Sequence, residues 1–278
     1  MLGATSGSRH LRTQIFVLAV CLLVANLATA AVQVLRLDGS LSRVVVEHSN
    51  ELNPQTGLTL EAWVRLDATT GCQTVIGKGI DSGYWLAVCN GVVTSAIAGV
   101  GDTIGAGTDG EISANEWAHV AMTYDGAQRI HYVNGEVVWQ QSILSDLPDN
   151  TRSLGIGGDG SSATFPGGLF ELDGRISEVR IWSYARPIEA LRRSLYQMMT
   201  EMEPRLIAVF PLEGSPDERF QRHAAILSGT ATFSSLSSPP TPYDPFRIRP
   251  TSPSPVIDGL CNEGTYQNRE RDPSWKRS

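Results

Sequence analysis

The sequence predicts an all-β fold, a two-sheet antiparallel sandwich with one short C-terminal helix, and three observations carry that prediction. Residues 31–233 divide into short apolar or alternating runs set off by Gly, Asp, Asn and Ser, the pattern of closely spaced strands. Asp125-Gly126 and Asn134-Gly135 are hairpin signals, because both central turn positions want positive φ. Helical spacing is confined to Pro187–Glu201, which opens on proline and places Ile188, Leu191, Leu195, Met198 and Met199 near one face. Many strands and one helix describe a sandwich or barrel, not an alternating α/β enzyme.

Taken in order, the strands are Ala31–Leu37, Arg43–Val46 and Leu58–Leu66, then Gln73–Lys78 and Tyr84–Cys89 around the turn Ile80-Asp81-Ser82-Gly83. Val92–Ala98 follows, then a Gly/Asp-rich loop and Glu116–Tyr124. The two hairpin signals make Trp117–Tyr124, Gln128–Val133 and Glu136–Ser142 a three-stranded meander. Ser153–Gly157, Leu169–Trp182 and Leu206–Pro211 complete the set. Alternation in the meander sends Ala118, Val120, Met122 and Tyr124 to one face, apolar enough to be the core. Trp117, His119, Ala121 and Thr123 take the other, where His119 reads as a structural, hydrogen-bonded histidine.

The N-terminus reads as a cleaved leader. Arg9 and Arg12 precede the apolar run Ile15–Ala25, and the small residues Ala28 and Ala30 suit cleavage after Ala30. A membrane-spanning helix needs about 20 apolar residues, so this run is too short for an anchor. Residues 1–30 are therefore expected to leave, giving a secreted (extracellular or periplasmic) chain with no membrane insertion. Loss of two arginines takes the net charge from −7 to −9. An acidic surface disfavours nucleic acid and anionic lipid as partners. Cys21 leaves with the leader, so Cys72, Cys89 and Cys261 remain. Cys72 and Cys89 lie on either side of the Ile80–Gly83 turn, and an antiparallel hairpin is expected to set them opposite each other, within disulfide reach.

Composition changes after residue 233. Residues 234–255 are Pro/Ser-rich and read as an extended linker, and residues 256–278 are too short to fold alone. Ser254-Pro255-Val256-Ile257-Asp258-Gly259, followed by Cys261, Glu263 and Tyr266, resembles the opening of a second β-sandwich of the xylan/cellulose-binding kind. On that resemblance the tail is the truncated start of a second module, and the partner of Cys261 lies beyond this chain.

Four stretches carry a resemblance for the main domain: Leu37-Asp38-Gly39; Leu58-Thr59-Leu60-Glu61-Ala62-Trp63-Val64; Glu116–Gly126 with Tyr132-Val133-Asn134-Gly135; and Gly174-Arg175-Ile176-Ser177-Glu178-Val179-Arg180-Ile181-Trp182. Together they resemble the LamG-like jelly-roll domains, pentraxin relatives in the concanavalin A-like lectin/glucanase superfamily. The resemblance implies a jelly-roll sandwich over residues 31–233. It leaves lectin, adhesion and hydrolase functions open.

Glucanases of that superfamily carry Glu-x-Asp-x-(x)-Glu on one strand. Here Glu171 and Asp173 are expected to share a face while Glu178 points to the other, and opposite faces cannot flank one glycosidic bond. Gly-x-Ser-x-Gly, His-Glu-x-x-His and phosphate-loop patterns are missing from the sequence. The expectation is a non-catalytic module with no certain cofactor. Relatives hold Ca²⁺ through a Gly-x-Ile-Asp-Glu motif, but Ser177 replaces that Asp, leaving Asp38 as the candidate metal ligand. Binding is what remains. Exposed aromatics stack on sugars, so Tyr84, Trp85, Trp139 and Phe165 are the candidate ligand-binding residues, with Trp63 and Trp182 assigned to packing. The glycine-rich loops 99–110 and 157–168 are the expected recognition surface. The partner is a polysaccharide or glycoconjugate, or else a surface protein bound by an adhesion module.

Overall fold

The computed structural model describes residues 32–98, 110–160 and 169–236. The expected leader, the tail, residues 99–109 and 161–168 of the two glycine-rich loops, and with them Phe165, lie outside these residues.

Chain order gives β1 (Val32–Asp38), β2 (Arg43–Val46), a 3-10 turn (Asn50–Leu52), β3 (Leu58–Leu66), β4 (Cys72–Lys78), β5 (Tyr84–Cys89) and β6 (Val92–Ile97). The meander follows as β7 (Ala118–Tyr124), β8 (Gln128–Val133) and β9 (Glu136–Ser142). Then come β10 (Leu154–Ile156), β11 (Leu169–Phe170), β12 (Asp173–Trp182), α1 (Ile188–Ser194), β13 (Leu206–Phe210), β14 (Ala225–Ser228) and β15 (Thr232–Leu236). One sheet runs β15-β1-β12-β3-β7-β8-β9, with β13 also on β12. The other runs β14-β2-β10-β4-β5-β6, with β11 also on β4. The non-consecutive order within both sheets is that of a jelly roll. Pairing is antiparallel except between β4 and the two-residue β11.

The core lies between the sheets, and the meander alternation is the expected one. Ala118, Val120, Met122 and Tyr124 join Leu35, Leu60, Val64, Leu86 and Phe210 in one buried cluster. On the outer face of the first sheet, α1 sets Leu191 and Ile188 against Ala121, Tyr132 and Ile130.

Four expectations about the elements need correction. The helix stops at Ser194, short of the expected Glu201. Side chains from the sheet take the carbonyls that further turns would use: Arg180 bonds the Ser194 and Gln197 carbonyls, and Trp63 Nε1 donates to the Leu195 carbonyl at 3.1 Å. Leu206–Pro211 does not close the set, since β14 and β15 follow. Ser234 and Ser235, assigned to the linker, pair with Val34 and Gln33 of β1 instead. Leu169–Trp182 is not one strand; the chain leaves the second sheet after Phe170 and enters the first at Asp173.

Cys72 and Cys89 are joined by a disulfide. Lys78 faces Tyr84 across the loop, so strict symmetry would set Cys72 against Asn90. A bulge at Val75 shifts the register by one residue and brings Cys72 opposite Cys89.

Candidate functional site

The structure separates the four candidate aromatics. Tyr84 belongs to the core, fully buried, with its hydroxyl donating to the Leu52 carbonyl at 2.8 Å. Trp85 lies on the outer face of the second sheet, yet only 1% of it is exposed. The residues beside it across the sheet are Gly77 and Ala96, small enough to leave room for an indole, and Ile80 packs against the same cluster. Exposure was the ground for choosing both residues, and burial removes it. Phe165 is outside the described residues.

Trp139 alone of the four combines a described position with solvent access. It sits half-buried on β9, the last strand of its sheet, at the lateral opening of the sandwich. Its ring stacks on His131 with centroids 4.5 Å apart and planes 25° apart, and the Arg129 guanidinium carbon lies 5.3 Å from the Trp139 centroid. Arg129 and His131 face inward, since they pair with Tyr124 and Met122 of the core face. Ser95 of β6 spans the gap between the sheets here: its hydroxyl lies 2.7 Å from His131 Nε2, and its carbonyl accepts from Arg129 at 3.1 Å. Burial first, and then the Arg129 charge, push the His131 imidazole down to about 3, so near neutral pH the ring beneath Trp139 is uncharged. The result is a rigid aromatic platform on a polar seam, flanked by Gln141, whose side-chain oxygen accepts from Arg129.

The acidic residues of the glucanase comparison are dispersed. Glu171 and Asp173 do not share a face, contrary to expectation. Glu171 bonds Arg43 of β2 at 2.7 Å, whereas Asp173 bonds Arg36 of β1 at 3.0 Å on the other sheet. Glu178 occupies a bulge of β12 at φ 51° and pairs with Arg180 beneath α1. The candidate metal ligand Asp38 caps its own turn, accepting from the Ser40 backbone N–H at 3.0 Å and from the Thr230 hydroxyl. No group of three His, Cys, Asp or Glu side chains suited to a metal ion occurs among the described residues.

One buried cluster was not anticipated from the motifs that contain it. Under α1, Glu61 accepts from Trp182 Nε1 and from Arg186, each at 2.7 Å, and His119 Nε2 stands 3.2 Å from its other oxygen. His119 is thus a structural residue, as its strand face suggested. Trp63 and Trp182 are buried on the outer side of the first sheet rather than between the sheets: Trp63 bonds the Leu195 carbonyl just past α1, and Trp182 packs against Met199, Leu206 and Val209.

Among curated proteins no sequence matches this chain. Solved structures do share its fold. A candidate carbohydrate binding protein from Bacteroides ovatus is 21% identical with a TM-score of 0.59, over 75% of this chain and 61% of that one. This chain therefore spans about three fifths of that relative's length. Domain 4 of an extracellular arabinanase from Geobacillus stearothermophilus is 18% identical over 57% of this chain and 74% of its own, with a TM-score of 0.44. A pentraxin from Limulus polyphemus is 12% identical over 74% and 96% respectively, with a TM-score of 0.43. A laminin G family model covers residues 38–190, from the Asp38 turn to the first turn of α1. That span is more than half of the chain and holds both sheets' central strands, so the protein belongs to the concanavalin A-like lectin/glucanases superfamily.

Proposed function

We propose that this protein is an exported, non-catalytic carbohydrate-binding module that holds a polysaccharide or glycoconjugate against Trp139. The observation that carries the reading is the partly exposed Trp139, stacked on a neutral imidazole and set on the edge strand of a lectin-type sandwich. A sugar ring lays its apolar face on such a plane, and neighbouring amides and guanidinium groups take its hydroxyls. Gln140 and Gln141 on the same strand supply amide groups of that kind. The candidate carbohydrate binding protein from Bacteroides ovatus that shares the fold is consistent with this use of it. Dispersal of Glu171, Asp173 and Glu178 onto separate arginine partners supports a module without glycosidase chemistry.

Retention on a panel of insoluble polysaccharides tests the reading. Trp139→Ala should weaken retention by about 2 kcal/mol, roughly 30-fold, with unchanged circular dichroism. Retention should survive EDTA, because Ser177 stands where relatives place a calcium-ligating Asp. Equal retention of wild type and Trp139→Ala would refute the platform.

A protein-docking role is the second reading. It is favoured by β9 being a sheet edge with Val137 45% exposed and nearby Leu144 88% exposed. On that reading no glycan is retained, and charged substitutions at Val137 and Leu144 abolish capture of a protein partner.

A further inference from the structure

We propose that Ser49 is a covalent modification site, an activated hydroxyl that accepts the phosphonyl or acyl group of small activated electrophiles. The residue precedes the 3-10 turn Asn50–Leu52, a position where serine normally turns its oxygen onto the first backbone N–H groups. Here it makes no such cap. Its Oγ lies instead 3.2 Å from Nδ1 of His223. Pairing of β2 with β14 brings the two together, tightened by the Glu47 N–H donating to the Ala224 carbonyl at 3.0 Å.

The surroundings of His223 decide which nitrogen carries the proton. Nε2 faces two acceptors, the Ile207 carbonyl at 3.3 Å and Glu51 Oε2 at 3.6 Å. Two acceptors on one side require a donor between them, so the neutral ring holds its proton on Nε2. Nδ1 then presents a lone pair to Ser49, and the serine O–H donates to it. The Ile207 carbonyl is the acceptor within hydrogen-bond range and holds the ring in this tautomer, and Glu51, itself bonded to Arg222, adds a nearby negative charge. A hydroxyl on an imidazole lone pair, with the ring oriented by an acceptor at its other nitrogen, is the arrangement that makes an oxygen nucleophilic. The imidazole is buried, while Ser49 is partly open to solvent and Glu51 is exposed, so the cluster meets the surface at its nucleophile.

With an alkyl fluorophosphonate, Oγ bonds to phosphorus, the P–F bond breaks, and fluoride leaves with the electron pair. The serine proton passes to Nδ1 and from there to water, so the products are the phosphonylated serine, fluoride and a hydrated proton. Fluoride departs without protonation, so the step needs no general acid at the leaving group.

Incubation of the purified protein with an alkyl fluorophosphonate, read by intact mass and peptide mapping, tests the proposal. The expected result is one adduct on Ser49, formed at least tenfold faster than on any other serine. It should be absent in Ser49→Ala and slowed tenfold or more in His223→Gln. Nitrogen-15 NMR of the wild-type protein gives a second measurement that needs no variant to fold: Nδ1 should be the unprotonated nitrogen of His223. Labelling spread over many serines, no adduct at all, or a proton on Nδ1 of the neutral ring would each overturn it.

Discussion

Burial alone would raise the Glu61 carboxyl, because a charge removed from water is disfavoured. The contact with His119 and the charges of Arg180 and Arg186 more than offset that penalty, and they hold Glu61 at about 2, below its ordinary 4.5. Burial acts first on His119 as well and lowers it, so the pair is a neutral imidazole against a carboxylate rather than two ions. The sign for stability follows. A folded-state value below the unfolded one means the contribution is complete above about 4.5 and is lost as pH falls through 2. Its size is on the order of 3 kcal/mol. Glu171 and Glu178 shift the opposite way, chiefly through burial, so total acid sensitivity mixes both signs. Comparison with Glu61→Gln isolates the one group. The variant should lose about 3 kcal/mol at neutral pH in urea unfolding, since Arg186 keeps its burial without its charge partner. The gap to wild type should narrow as pH falls toward 2. A gap that stays constant with pH would mean that Glu61 acts through packing alone.

Two predictions belong to elements. The Cys72–Cys89 bridge joins β4 to β5 across a sequence separation of 17 residues. Closing a loop of that size stabilises by roughly 3 kcal/mol through the unfolded chain. Cys72→Ala should lower the urea midpoint accordingly while leaving the β circular dichroism spectrum intact, and non-reduced peptide mapping of the wild type should recover the linked pair. The second concerns β10, which is crossed closely by the chain that follows it. A Cβ on Gly155 would stand 2.3 Å from the Gly158 carbonyl oxygen and 2.5 Å from the Gly160 nitrogen, both backbone atoms unable to swing aside. Gly155→Ala should therefore cost about 3 kcal/mol or more, at the upper end of overpacking effects. An unchanged melting temperature would show that residues 158–160 move away without penalty.

At the scale of the molecule, the sheet containing the meander is finished by its last strand. β15 runs antiparallel to β1 over five residue pairs, Val32↔Leu236 to Arg36↔Thr232, and it covers what would otherwise be an open edge. The domain therefore extends through Leu236, three residues past the change in composition. A chain ending at Phe233 forfeits three of those five pairs. It should melt several degrees below one ending at Leu236 by differential scanning calorimetry, because about 1 kcal/mol shifts a domain of this size by roughly 2–4 °C. Equal melting temperatures would return Ser234–Leu236 to the linker.

Most strands, both hairpins, the core face of the meander and the hairpin that carries the two cysteines were legible in the sequence, because each depends on neighbours along the chain; β14, β15 and the break within Leu169–Trp182 were not. Alternation at Ala118–Tyr124 and the Asp125-Gly126 and Asn134-Gly135 turns are local facts of backbone geometry. The end of α1 and the pairing of Ser234 and Ser235 were not legible, because partners distant in sequence settle them, and no residue pattern marked the bulge at Val75. The aromatics divide in the same way. Trp85 and Trp139 both fall on strands legible in the sequence; what separates them in the fold is that Trp85 lies in mid-sheet between Gly77 and Ala96, and Trp139 on an edge strand. Sequence determined that this chain would be a β-sandwich with several aromatic residues on its strands. Only the tertiary structure decided which of them reaches solvent, because exposure depends on what the rest of the chain lays over each side chain.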